Sequence, residues 1–447
     1  MNIASSLDAF FRISERGSDI RTELRSGLVT FLSLVYVLGV TPVILYDPSY
    51  GYPQEAFFTS VCLSCVLSCM LMGLYARFPV ALAPSMATAT FVSGTVVTVM
   101  GFTYPQAMMV VFVSGVLFFI LSVTGFRERL LNSIPGHFRY AITVGIGLFV
   151  ALIGLRSSGL IALSSSGVTL GDMHSPAVVL GLFSIAVTFI FYLRGMWSAT
   201  FIGIVSTAVL SLIVGETSVP ENILSYPDTS LIFCAFRDFT FFGMDMMMTF
   251  IIAVLSLLVV DMFDTAGTLL ALGGRAGLMD DDGNVIGGTA ALSCDSISTM
   301  MGATMGASNT TTFMESATGI EAGGRTGLVA VTVSALFILA LFAIPLFSDL
   351  ISSSCTVGAL MLVGAMMVLS VKDIDWDDNV IAVSSFMTMV MMPLTMSITN
   401  GMAFGFMSYV IGMAVTGRAK EIKGMTWVIT GMFLTYYLMS YFLLPSA

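Results

Sequence analysis

The stretch Ala307-Ser308-Asn309-Thr310-Thr311 interrupts an otherwise apolar part of the chain, and Ala83-Pro84-Ser85 interrupts another such run at residues 80–100. Both breaks fall where about 20 successive apolar residues would be needed to cross a bilayer core of roughly 30 Å. A polar, helix-breaking segment at that depth exposes N–H and C=O groups that lipid cannot satisfy, although a protein neighbour or a substrate can. Interruptions at corresponding positions of two halves are the best sequence pointer to a transporter's binding site. The two segments therefore predict a polytopic membrane protein with discontinuous spans.

Composition agrees with that class. Of 447 residues, 57% are hydrophobic and only 10% are charged, against about 25% charged in soluble domains. With a mean hydropathy of +0.97, the chain cannot coat a water-facing surface, so most of its exterior faces the lipid bilayer. Apolar runs of spanning length recur about fourteen times. They lie near 27–46, 56–76, 80–100, 104–124, 139–155, 177–193 and 198–214, then 245–272, 288–306, 307–320, 327–347, 352–371, 381–399 and 401–416. A further apolar stretch, 425–444, remains.

Basic residues test the order of the spans. With the N-terminus inside, Arg12, Arg16, Arg21 and Arg25, Arg77, Arg127, Arg129, Arg139, Arg194, Arg275, Arg325, Lys372 and the Arg418–Lys423 cluster fall on the cytoplasmic side, against Arg156 and Arg237 on the other, as the positive-inside rule requires. Residues 1–26 lack the short apolar core of a signal peptide and are expected as a cytoplasmic segment. Seven spans followed by seven more make the halves inverted, since seven is odd. The tight links Arg194-Gly195-Met196-Trp197 and Thr399-Asn400-Gly401 echo one another.

Other classes find little support. The net charge of −10 is spread over loops such as Asp280-Asp281-Asp282 and Asp373 to Asp378, and no basic stripe for nucleic acid is present. The tri-Asp run lacks the later glutamate of a calcium loop and reads as a turn. Cys62, Cys65 and Cys69 share a helix face and are read as packing residues rather than metal ligands. His137 and His174 fall in predicted loops. Without a phosphate-binding loop, a metal cluster or a soluble catalytic module, no cofactor and no enzymatic activity are expected.

Intramembrane carboxylates cost at least about 2.5–3.5 kcal/mol at a helix centre and are rare unless functional. Three stand out. Asp261 and Asp264 lie three residues apart in Val260-Asp261-Met262-Phe263-Asp264-Thr265-Ala266-Gly267-Thr268, near one helix face, and Glu315 lies in the broken tenth span. Each is either a structural carboxylate capping a broken helix or a ligand. The occurrence of Asp264 and Glu315 together on two spans of the second half favours the ligand reading. A carboxylate accepts two parallel N–H bonds, as a nucleobase edge offers. Removal from water also disfavours its charged form, so Asp264, Glu315 and Asp261 are the expected proton-coupling set. Thr265, Thr268, Thr310 and Thr311 are read either as ligands or as hydroxyls bonded to their own backbone. Phe91 and Phe313 are read either as a stacking face or as packing.

At these residues the sequence resembles the AzgA-like adenine/guanine/hypoxanthine permeases of the nucleobase–ascorbate transporter superfamily. The likeness rests on Arg21-Thr22-Glu23, Leu82-Ala83-Pro84, Gly145-Ile146-Gly147-Leu148-Phe149 with Ala151-Leu152-Ile153-Gly154-Leu155, and Phe263-Asp264-Thr265-Ala266-Gly267-Thr268. It continues through Glu315-Ser316-Ala317, Gly323-Gly324-Arg325-Thr326-Gly327 and Met392-Pro393-Leu394-Thr395. The resemblance implies an all-α protein of about 14 spans in two inverted seven-span repeats. A core domain (27–124 and 245–347) would hold the substrate against a gate domain (125–214 and 352–416), with 425–447 an extra C-terminal segment. It implies proton-coupled, elevator-type import of purine bases such as guanine, hypoxanthine and adenine at the plasma membrane, and a homodimer. The expected substrate ligands are Asp264, Glu315, Thr268, Asn309, Thr310, Ser85, Thr88 and Phe91.

Two positions depart from the family. Where it usually reads Gly-Met-Gly-Leu-Asn-Ala-Phe, this chain has Ser85-Met86-Ala87-Thr88-Ala89-Thr90-Phe91, so Ala89 replaces an asparagine, and Thr41 stands where the family favours asparagine before Pro42. Loss of an amide changes which purine edge is read. The alternative cargo is another planar or anionic solute, such as a pyrimidine, xanthine, urate or an inorganic anion. The acids argue against an anion, because an ionised Glu315 would repel it.

Overall fold

The computed structural model describes residues 3–124, 136–164, 167–196, 198–218, 224, 226–237, 244–278, 285–344, 350–395 and 398–443. A short helix α1 (Ile3–Phe11) leads into α2 (Ile20–Leu34), which starts seven residues before the expected span because Asp19 caps it, accepting from the Thr22 N–H at 3.0 Å. The first span is split: α2 ends at Leu34 and α3 runs Val37–Leu45, with Val35 and Tyr36 between them. Then follow α4 (Gln54–Leu71), continued by a wider π-type turn at Met72–Ala76, strand β1 (Leu82–Pro84), α5 (Met86–Thr90), a second π-type segment Phe91–Val99, and α6 (Tyr104–Val123). A capping box opens α6: Thr103 and Gln106 each bond the other's backbone N–H, satisfying two donors that the helix itself leaves unpaired.

Helix α7 (His137–Ser157) is joined by an exposed hairpin, β2 (Ile161–Ser164) and β3 (Gly167–Leu170), to α8 (Pro176–Leu193) and α9 (Ala199–Val214). The second half contains α10 (Met244–Arg275), α11 (Gly288–Met305), β4 (Thr310–Thr312), α12 (Ser316–Glu321) and α13 (Leu328–Leu341). It closes with α14 (Ser353–Val368), α15 (Asn379–Leu394), α16 (Ile398–Val415) and α17 (Gly424–Leu443). Among the described residues, six helical segments are long and apolar enough to cross a membrane, and further apolar helices are shorter. The tri-Asp run at 280–282 lies outside the described residues.

His137 departs from the expected loop position. It opens α7 and is buried, with its ring against Phe138 and Tyr409 and its Nε2 3.3 Å from Ser384 Oγ. Apolar ring neighbours explain that burial; His174 does lie in an exposed loop beside Asp172. At the ends of α15 and α16 the Arg418 guanidinium, 2.5 Å from Asp378, holds that helix-capping carboxyl below its usual range.

The order helix, helix, strand, short helix, helix occurs twice, as α2/α3–α4–β1–α5–α6 and as α10–α11–β4–α12–α13. Packing repeats as well. A Cβ on Gly203 of α9 would collide with Thr188 Oγ1 of α8, and one on Gly405 of α16 would collide with Thr388 Oγ1 of α15. The heaviest helix packing falls into two sets, α2, α4, α6, α10, α11, α12 and α13 in one and α7, α8, α9, α14, α15 and α16 in the other, with slight contact between them. Within the second set α7 and α14 approach through two glycines: a Cβ on Gly147 would sit 2.8 Å from the Gly364 carbonyl, and one on Gly364 would sit 2.6 Å from the Gly147 carbonyl. Helix α17 lies along α16, where Tyr437 donates to Asn400 Oδ1 at 2.8 Å and Phe433 stacks near Phe406.

Gly147→Ala is expected to lower the unfolding midpoint in detergent, because overpacking of this kind costs about 1–3 kcal/mol. Gly94→Ala, whose Cβ would only graze Thr90 at 4.0 Å, should leave the midpoint unchanged. Equal midpoints for the two variants would show that α7 and α14 do not pack through glycine.

Candidate transport site

The two unwound segments foreseen in the sequence meet as an antiparallel pair. Leu82 faces Thr312, Ala83 faces Thr311 and Pro84 faces Thr310. The pairing extends one residue each way: Ser85 N–H donates to the Asn309 carbonyl at 3.0 Å, and Phe313 N–H donates to the Ala81 carbonyl at 3.1 Å. Proline at position 84 forms no N–H bond, and the extended region is its natural conformation. Ala81 N–H is taken up by the Ser316 hydroxyl at 3.0 Å. The backbone of both breaks is thus largely satisfied inside the protein.

Helices α10 and α11 grip β4 from one side. Thr265 Oγ1 lies 2.7 Å from Asp295 Oδ2, 2.9 Å from Thr311 Oγ1 and 3.4 Å from Asp261 Oδ1. Asp295 also accepts from the Thr312 N–H at 3.0 Å. Thr299 Oγ1 lies 2.8 Å from Asn309 Oδ1, 3.3 Å from Asp261 Oδ2 and 3.3 Å from the Thr310 carbonyl. Asp261, Asp295, Thr265, Thr299 and Asn309 are all fully buried. One threonine hydroxyl therefore joins two buried carboxylates from neighbouring helices. The Asn309 amide nitrogen and the hydroxyls of Thr310 and Thr312 are buried without a protein partner.

A third carboxylate stands at the other end of β4. Glu315, partly exposed at the start of α12, accepts from the Tyr36 hydroxyl at 2.5 Å. The same two elements meet again where Thr318 Oγ1 bonds Ser33 Oγ at 3.0 Å, and a Cβ on Gly319 would collide with Thr30. Beyond α12, the buried Glu23 accepts from the N–H of Arg325 (2.9 Å), the N–H of Thr326 (3.1 Å) and the Thr326 hydroxyl (2.7 Å). It ties the first turn of α2 to the glycine-rich link before α13.

Of the residues expected from the sequence, Asp261, Thr265, Asn309, Thr310 and Thr311 come together at the strand crossing. Asp264 occupies α10, and its side chain lies outside the described residues. Thr88, an expected ligand, and Thr90 bond the carbonyls of Ser85 (3.1 Å) and Met86 (2.8 Å). Thr268 on α10, Ser85 at the end of β1 and Phe313 are buried, while Phe91 and Ala89 are wholly enclosed in the main apolar core. Asp295, Thr299 and Tyr36 were not foreseen. Asp295 carried a usable signal, a carboxylate inside an apolar run, whereas nothing local to Tyr36 or Thr299 marks them.

Broken, crossed spans carrying buried acids define a membrane transporter, and the comparisons agree. The chain belongs to the Xan_ur_permease family, described as a permease family, which matches residues 21–404. It is similar to the guanine/hypoxanthine permease PbuG of Bacillus subtilis, with 39% identity over 97% of this chain and 99% of the relative. The adenine permease AdeQ of Escherichia coli is 35% identical over 97% and 96%. The nucleobase transporter PlAzg2 of Paenibacillus larvae is 31% identical over 88% and 78%. Among solved structures, the transmembrane domain of the cyanobacterial bicarbonate transporter BicA shares the fold, with TM-score 0.60 at 12% identity over 89% of this chain and 97% of that one. So does SLC26A9, with TM-score 0.63 at 11% identity over 93% and 69%.

Thr265→Val removes the hydroxyl that the two buried aspartates share. Leaving buried acceptors short of a donor costs about 1–3 kcal/mol, so the variant should melt at lower temperature than the wild type in detergent. Thr304→Val, which loses only a bond to the Met300 carbonyl of its own helix, should match the wild type. A Thr265→Val midpoint equal to that of Thr304→Val would mean the shared hydroxyl contributes nothing to the fold.

Proposed function

We propose that this chain is a secondary active transporter that imports purine nucleobases, guanine, hypoxanthine or adenine, by proton symport. The observation that carries the reading is Glu315. It stands at the junction of β4 and α12, partly exposed, with Oε1 bonded to the Tyr36 hydroxyl and Oε2 as its second acceptor oxygen. A neutral purine offers ring and exocyclic N–H donors to such an oxygen, and a charge-assisted bond in a site shielded from water is strong. Relatives named as guanine/hypoxanthine and adenine permeases, alike over nearly the whole chain, support the same cargo. The bicarbonate and anion transporters with this fold are only 11–13% identical, and carboxylates at the site disfavour an anionic cargo.

In this reading Asp264 joins Glu315 as a cargo ligand, with Thr268, Asn309, Thr310, Ser85, Thr88 and Phe91 around the base. Of these, Asn309 and Thr310 hold unpaired buried polar atoms, which a ligand satisfies. Protons enter through Glu315, Asp264 and the Asp261–Thr265–Asp295 arrangement. The halves are inverted repeats of fourteen spans; the antiparallel pairing of β1 with β4 supports that. Residues 27–124 and 245–347 form the core and 125–214 and 352–416 the gate, a division supported by the two packing sets. Slight contact between the sets suits movement of one past the other. The distribution of basic residues supports an N-terminus inside the cell.

Asp264→Asn and Glu315→Gln are each expected to reduce uptake about a hundredfold, since a hydrogen bond from the cargo to a charged group is worth up to about 3 kcal/mol, while membrane insertion stays normal. Wild-type uptake by either variant at equal surface expression removes that acid from the mechanism. The cargo is tested with radiolabelled guanine in cells lacking their own purine permeases, with adenine, hypoxanthine, xanthine and uracil as competitors. Collapse of the pH gradient by a protonophore should stop uptake, and replacement of sodium should not; the reverse pattern refutes proton coupling.

A further inference from the structure

We propose that Tyr36 is a positioning residue of the transport site: its hydroxyl holds one oxygen of Glu315 and thereby presents the other to an N–H of the cargo. This role rests on the purine-transport reading above. Tyr36 lies at the break between α2 and α3, only 2% exposed, with its ring enclosed in the main apolar core. A buried tyrosine hydroxyl needs a polar partner. Among the described residues that partner is Glu315 Oε1 at 2.5 Å, within the range of a charge-assisted O–H···O⁻ bond. The break in span one is what puts a phenol there. Residues 35 and 36 join the two helices with right-handed helical backbone angles, and the segment passes the junction of β4 and α12 there.

The consequence for recognition is geometric. A glutamate has three rotatable bonds, and ordering such a side chain costs up to about 2 kcal/mol of rotamer freedom. Anchoring one oxygen on a rigid, buried ring removes most of that freedom before the cargo arrives, so the second oxygen is already placed for one N–H. Preorganisation of this kind appears as affinity rather than as new contact. Tyr36 need not touch the cargo. A merely structural role is the competing explanation, since Ser33 and Thr318 link the same two elements at 3.0 Å.

The experiment compares Tyr36→Phe, which keeps the ring, with Ser33→Ala, which removes the other link. Uptake of guanine is measured across a concentration series at equal surface expression, and guanine binding to the purified proteins is measured by titration. Tyr36→Phe should raise KM about tenfold with Vmax within about twofold, and Ser33→Ala should leave KM unchanged. In a Glu315→Gln background, where uptake is lost, adding Tyr36→Phe should not weaken guanine binding further. An unchanged KM in Tyr36→Phe, an equal rise in Ser33→Ala, or additive losses with Glu315→Gln would overturn the role. If the wild type carries and binds no purine base, the functional reading fails and this role fails with it. If wild-type transport is normal and only the Tyr36→Phe outcome differs, the reading stands and the role alone is wrong.

Discussion

A span broken inside a bilayer leaves backbone groups that hydrocarbon cannot satisfy, each at a cost of several kcal/mol, and the whole site follows from how this chain meets that demand. Two breaks, one from each half, supply each other's partners as β1 and β4, with the ladder reaching from Ala81–Phe313 to Ser85–Asn309. Neither break would be stable alone. Once paired, their register fixes what stands beside them: Thr311 opposite Thr265, the Thr312 N–H on Asp295, and the Thr310 carbonyl and Asn309 amide beside Thr299. The next turn of chain then delivers Glu315 to Tyr36. A requirement of the backbone thus places the acids.

The polytopic helical class and both breaks were legible in the sequence because they are composition effects on a scale of about 20 residues, with polar residues at a depth that tolerates none. Asp261 and Glu315 were legible for the same reason, through the cost of burying a charge. The same cost applies to Asp295, in Ser293-Cys294-Asp295-Ser296, yet its neighbours are small and polar enough to make the run look less apolar there. Tyr36 was invisible because its meaning lies in a partner 279 residues away. Thr88 shows the opposite limit: a hydroxyl in a promising stretch proves to be bonded to the carbonyl of Ser85, a choice made by local geometry that residue type does not encode.

Without a hydrophobic drive between helices in lipid, close approach of small residues and shared polar contacts hold a membrane fold together. The glycine–threonine contacts at Gly203–Thr188 and Gly405–Thr388 are the same solution at matching places in the two halves. The reciprocal Gly147–Gly364 approach joins the halves within one packing set. Glu23 acts in the other set, where one carboxylate takes two backbone N–H groups and a hydroxyl at the link after α12. Each set is therefore tied internally by contacts that tolerate little slack, while the sets touch one another slightly.

The strand crossing also holds buried polar atoms that the fold leaves unpaired. A buried polar atom without a partner costs about 1–3 kcal/mol, and Asn309, Thr310 and Thr312, all on or beside β4, each carry one. Elsewhere in the same region the chain satisfies its polar groups closely, down to the Ala81 N–H on Ser316. Hydroxyls are buried without a partner on other helices too, among them Thr59, Ser114 and Ser385, but around β4 such atoms fall on four residues out of five, Ser308, Asn309, Thr310 and Thr312. Their free energy falls when something with complementary donors and acceptors sits beside them. A group with complementary donors and acceptors placed there would meet surroundings already held by the Thr265 hydroxyl and the strand pair.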